Sequence, residues 1–69
     1  MRKLIRTIDT SATSLLTEEV ITIGAPRRPR RIYAVRTGFD RGAYKGGLQW
    51  WPLAQEGAEE AARAAFDRG

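Results

Sequence analysis

The side chains best equipped for chemistry in this 69-residue chain are guanidinium groups. Ten of its twelve cationic residues are Arg, whose planar fork of donors matches phosphate and carboxylate better than the point charge of Lys does. Residues 27–45 carry Arg27, Arg28, Arg30, Arg31, Arg36, Arg41 and Lys45 against Asp40 alone, a local charge of +6, whereas residues 54–69 carry −2. Tyr33, Phe39, Tyr44, Trp50 and Trp51 are interleaved with or follow these cations. That combination suits a nucleic acid: arginines neutralise phosphates and release counterions, while aromatic faces stack unpaired bases. The same residues also fit a solvated basic loop with its aromatics in the core. Tyr33 shares a strand face with Val35 and is expected to be half-buried in a sheet, while Phe39, beside a Gly-rich turn, is expected to be exposed.

Other chemistries are poorly served. The chain has no Cys and no His, which removes disulfides, thiol nucleophiles, imidazole metal ligands and the usual base near neutral pH. Glu18 and Glu19 are adjacent and point to opposite faces of a strand. Asp9 and Asp40 are isolated, and Glu56, Glu59 and Glu60 belong to a solvated helix face, so no carboxylate pair is set for acid and base work. Lys45-Gly46-Gly47 reverses the order of a phosphate-binding loop. The expectation is a binding protein with no cofactor, no metal and no catalytic residues. At 42% apolar and 29% charged, the composition is that of a soluble globular protein. Its length suits one small domain over residues 1–69, burying about 60% of the surface of the unfolded chain. Arg2-Lys3 is followed by Leu4-Ile5-Arg6 rather than by the continuous apolar run of a secretion signal or membrane span, so a cytoplasmic protein with no membrane partner is expected.

The elements that must position these residues follow from periodicity. Arg2 to Asp9 reads as a strand followed by turn residues Asp9-Thr10-Ser11, although Leu4, Ile5 and Ile8 also fit helical spacing. Thr10 to Thr17 fits either a helical turn or the far side of a hairpin loop. Glu18 to Gly24 is the clearest strand, with Glu19, Ile21 and Ile23 on one face and Val20 and Thr22 on the other. Pro26 and Pro29 place Ala25 to Arg31 on an extended connection. Arg31 to Thr37 resumes the sheet, with Tyr33 and Val35 facing away from Ile32, Ala34 and Arg36, so the arginines form the tip of an antiparallel hairpin. A turn is expected at Asp40-Arg41-Gly42, a short edge strand around Ala43-Tyr44-Lys45, and a last strand from Leu48 to Leu53 stopped by Pro52. Trp50 and Trp51 then point to opposite faces, one under the helix with Phe66 and one outward. Ala54 to Arg68 is an amphipathic helix whose stripe is Ala54, Ala58, Ala61, Ala62, Ala65 and Phe66, beginning after Gly57 if that residue breaks its first turn, with Glu59 spaced to pair with Arg63. The expected fold is α+β: a small antiparallel sheet of three to four strands with one C-terminal helix on one face.

Three resemblances attach to particular residues. The loop Arg27-Arg28-Pro29-Arg30-Arg31 is slightly similar to the AT-hook segments that lie in a minor groove, without their central glycine. Ile32 to Arg68 resembles the Apetala-type DNA-binding domain of plant ethylene-response factors and the related arm-binding domains of tyrosine recombinases. The similarity lies in the alanine-rich helix Ala58 to Arg68 and in Ala34-Val35-Arg36, with Ala34 where the family has glycine. It implies three antiparallel strands before a helix, with sheet residues reading the major groove, a role that would fall to Arg36, Arg41 and Trp50. In size and character the chain also resembles small phage-encoded inhibitors of the anti-CRISPR type. Two functions follow as expectations. One is nucleic-acid binding, DNA favoured over RNA, through Arg27, Arg28, Arg30, Arg31, Arg36, Arg41 and Lys45 with Phe39, Tyr44 and Trp50. The other is docking on a partner protein with an acidic or nucleic-acid-binding surface.

Overall fold

A computed structural model describes residues 2–24 and 26–69. Ala25, expected to open the arginine connection, lies outside the described residues, as does the side chain of Ile23. The chain runs β1 (Arg2–Thr10), β2 (Leu15–Ile23), β3 (Arg28–Arg36), β4 (Phe39–Asp40), β5 (Ala43–Tyr44), β6 (Leu48–Pro52) and α1 (Ala58–Arg68). Four strands form one antiparallel sheet in the order β1-β2-β3-β6, and β4 and β5 form a separate two-stranded hairpin. This is the expected α+β arrangement, with four main strands and the helix on one face.

Strand alternation decides which residues meet the helix. In the register Leu16↔Val35 and Tyr33↔Trp51, these four side chains share a face. Leu16 and Val35 join Ala62, Ala65 and Phe66 in the core, with Ile8, Tyr33 and Trp51 packed against it. Alanines at the helix face remove side-chain bulk and let the backbone approach the sheet. The helix starts at Ala58, because Gly57 sits left-handed at its N-cap (φ 78°). Ala54 therefore falls outside the stripe and is exposed. Arg63 donates to Asp9 on β1 at 2.8 Å in place of the expected pairing with Glu59. An inter-element carboxylate competes well with the weak i, i+4 pair, which contributes about 0.3–0.5 kcal/mol. At the other terminus, Thr13 Oγ1 donates to the Gly69 carbonyl at 2.6 Å.

Segment 10–17 is the end of a hairpin rather than a helical turn, with residues 11–14 as the turn between β1 and β2. The Ser11 hydroxyl accepts from the Ser14 N–H at 3.0 Å, and β2 begins at Leu15. The β4–β5 turn uses Arg41 (φ 52°) and Gly42 (φ 84°), the two successive left-handed residues that a type I′ hairpin requires. The Phe39 N–H donates to the Thr13 carbonyl at 3.0 Å, so this hairpin is tied to the β1–β2 turn.

Close approach behind the hairpin makes Gly38 special. It has φ +69°, and a Cβ there would lie 2.6 Å from the Gly46 backbone nitrogen. We expect Gly38→Ala to cost about 2–3 kcal/mol, lowering the melting temperature by about 10 °C or more in a thermal unfolding scan. Gly42 has φ +84° but nothing within 4 Å of such a Cβ, so Gly42→Ala costs only the left-handed backbone penalty, about 1 kcal/mol. Equal losses at the two sites would mean that contact with Gly46 contributes nothing.

Candidate functional site

The arginine segment is strand rather than connection. Arg28, Arg30 and Arg31 lie in β3, paired with Ile23, Ile21 and Val20 of β2. Two prolines argue against a strand only where a backbone donor is needed. The Arg31 carbonyl accepts from the Leu53 N–H at 3.1 Å, so Arg31 directs its backbone groups toward the β6 side, and Pro29, two residues earlier, does the same. β6 ends at Pro52, opposite Ile32. Pro29 therefore faces an open edge where its missing N–H costs nothing.

The helix leaves this end of the sheet uncovered. It spans about 16 Å at eleven residues, against about 30 Å for a nine-residue strand. The chain leaves the sheet at Leu53, beside Arg31, and α1 then runs to Gly69, which lies against Ser14 and Thr37 at the opposite end. The β2–β3 tip projects beyond it. Arg27, Arg28, Arg30 and Arg31 are all exposed there. Among the described residues no carboxylate lies within 4 Å of Arg27, Arg28 or Arg30, while Arg31 reaches Glu18 at 3.7 Å and is still 65% exposed.

Two further cations join the tip. Arg2 lies opposite Ile21, which also pairs with Arg30, so Arg2, Ile21 and Arg30 form a row across three strands on the face away from the helix. Lys3, Val20 and Arg31 form the matching row on the other face. Neither Arg2 nor Lys3 was among the candidates read from the sequence. The signal was present in β1, since a tight turn after Thr10 carries the strand back along β2 and brings its charged start to the far end.

The remaining candidates lie elsewhere. Arg41, Lys45, Phe39 and Tyr44 sit on the β4–β5 hairpin at the other end of a molecule 37 Å long. There the Phe39 and Tyr44 rings pack on each other with centroids 4.9 Å apart, and Lys45 approaches Asp40 at 3.7 Å. Phe39 is exposed as expected, but its ring is engaged with a neighbour.

Arg36, which the Apetala-type resemblance would make a groove-reading residue, is held inside the sheet. Its guanidinium donates to both oxygens of Glu19, at 2.5 and 3.3 Å. Arg2 adds a contact at 3.4 Å and the Thr17 hydroxyl donates at 2.5 Å. Burial pushes the Glu19 carboxyl up, but the hydrogen bonds from Arg36 and Thr17 and the charges of Arg36 and Arg2 outweigh it and hold it below the ordinary carboxylate range. Glu18 does the corresponding work on the helix face with Arg6 at 2.9 Å and Arg31. Two adjacent glutamates thus engage four arginines, one pair on each face.

Trp50 and Trp51 divide as alternation requires. Trp51 is half-buried against the core under the helix, whereas Trp50 is 45% exposed on the opposite face, where it lines a groove with Arg30 and Arg31. Of the ten candidates, Arg27, Arg28, Arg30 and Arg31 are brought together at the tip and Trp50 shares a groove with Arg30 and Arg31; Arg36 is tied up; the other four form a separate patch.

Among the described residues there is no cluster of three or more metal-ligating side chains and no helix long and apolar enough to cross a membrane. No family model matches the chain, and neither a curated protein nor a solved structure matches it, which leaves the chemistry of this surface as the guide to function.

Proposed function

We propose that the chain is a non-enzymatic nucleic-acid-binding protein, DNA favoured over RNA, that engages phosphates through the basic tip of its β2–β3 hairpin. One observation carries this reading. Arg27, Arg28 and Arg30 are exposed and lack carboxylate partners among the described residues, at an end of the sheet that the helix leaves open. Arg2, Arg6, Arg31, Arg36 and Arg63 each reach a carboxylate, so among the described residues three of the five arginines without one are gathered at this tip, the other two being Arg41 and Arg68. Lys3 and the largely exposed Arg31 extend it across the sheet. A twisted antiparallel ribbon of this kind fits the major groove of a duplex, which is about 12 Å wide.

The test is a salt titration of binding to a nonspecific DNA duplex. About five phosphate contacts, from Arg27, Arg28, Arg30, Arg31 and Lys3, give a slope of log K against log salt near −4.5, or a loss of about 500-fold between 50 and 200 mM salt. A slope shallower than about −1, or no binding at the low end, defeats the proposal. A tight equimolar complex with an acidic protein under those same conditions would move the assignment to protein docking.

A further inference from the structure

We infer that the groove between Trp50 and Arg30 seats an unpaired nucleobase, stacked on the Trp50 indole with its phosphate on the β3 arginines. This deepens the nucleic-acid reading and rests on it. The groove, about 440 Å³, is lined by Trp50, Ile32, Pro52, Leu53, Arg30 and Arg31 among others, and no carboxylate lines it. Its volume falls in the range of small-ligand pockets.

Register sets its geometry. Trp50 lies opposite Ala34 and Pro52 opposite Ile32, so Trp50, Pro52, Ile32 and Arg30 all belong to the face away from the helix. Ala34 and Arg30 are four residues apart on β3, or about 13 Å at the strand rise. Ile32, between them, is 1% exposed and forms a closed apolar floor. An indole at one end, a guanidinium at the other and an apolar floor between them offer a π-face, a cation and no acidic group. Bases of a duplex are already stacked and present only their edges, so a flat π-platform on a sheet face serves a base that is unpaired or extruded. An anionic occupant is favoured, because Arg28 and Arg27 continue the positive charge outward from Arg30 along the same chain.

The experiment titrates the full chain, at about 0.1 M salt, with short oligo(dT) and with an abasic strand of equal length, which has the same phosphates without bases. We expect oligo(dT) to quench tryptophan fluorescence and to bind about tenfold more tightly than the abasic strand, in line with one base–aromatic stack. Trp50→Ala should remove most of the tenfold difference between oligo(dT) and the abasic strand, while Trp50→Phe retains most of it. Equal binding of the two strands by the wild-type chain overturns the base site but leaves the phosphate-binding tip intact. Failure of both strands and of the duplex overturns both readings. If Trp50→Ala weakens the abasic strand as much as oligo(dT), the indole serves the fold and the base site is likewise overturned.

Discussion

Replacing Arg27, Arg28 and Arg30 together by Ala is expected to weaken duplex binding by about 500-fold at 0.1 M salt and to flatten the salt slope by about 2.7, since each lost phosphate contact removes about 0.9 from that slope. These three residues are exposed and make no ion pair among the described residues, so the fold should lose less than about 0.5 kcal/mol. Arg31 is spared because its guanidinium helps to neutralise the buried Glu18. A control variant, Arg41→Ala with Lys45→Ala, removes two cations from the β4–β5 hairpin at the opposite end of the sheet. The molecule is 37 Å long and the Debye length is about 10 Å at 0.1 M salt, so the control should change affinity by less than about threefold. Equal losses in the two variants would indicate that the nucleic acid runs the whole length of the sheet. No loss in the triple variant would remove the tip from the interface.

The strands could be read from their β-branched runs, as in Val20 to Ile23 and Ile32 to Val35. The two tryptophans were separable because period-two geometry must send neighbours to opposite faces. Sequence failed where a rule depends on position. Proline reads as a strand breaker, yet Pro29 occupies an edge where no donor is required. Glu59 and Arg63 have helical spacing, but Asp9 arrives from β1 at the right distance and takes the arginine. The density of positive charge in residues 27–45 was visible, whereas its division between two ends of the sheet depends on which strand follows which turn. Least legible of all were the adjacent glutamates. Their opposite facing was clear, but their burial among arginines follows from the pairing of three strands whose register no local pattern fixes.

Glu19→Ala is expected to cost about 2–3 kcal/mol and to lower the melting temperature by about 10–20 °C. The Glu19 side chain is 3% exposed and that of Arg36 22%, so removal of the carboxylate strands a largely buried guanidinium and leaves the Thr17 hydroxyl without its acceptor. Against a total stability of about 3–10 kcal/mol for a chain of this size, such a loss is severe. The pH dependence has a definite sign. A carboxyl held below its unfolded pKa binds fewer protons in the folded state, so its contribution is fully present above the unfolded value, about 4.3, and disappears as pH falls through the lower folded one. Wild-type stability should therefore decline below about pH 4.5, and Glu19→Gln, which cannot titrate, should lose less of its stability across that window. Glu19→Leu combined with Arg36→Met separates the removal of an ion pair from the isolation of one partner; apolar replacement of both ions should recover most of the loss. If Glu19→Ala melts with the wild type, Arg36 is free to turn toward solvent and returns to the set of cations available for a polyanion. Recovery in the double variant would mean that the loss in Glu19→Ala comes from leaving Arg36 without its carboxylate, not from losing the ion pair as such.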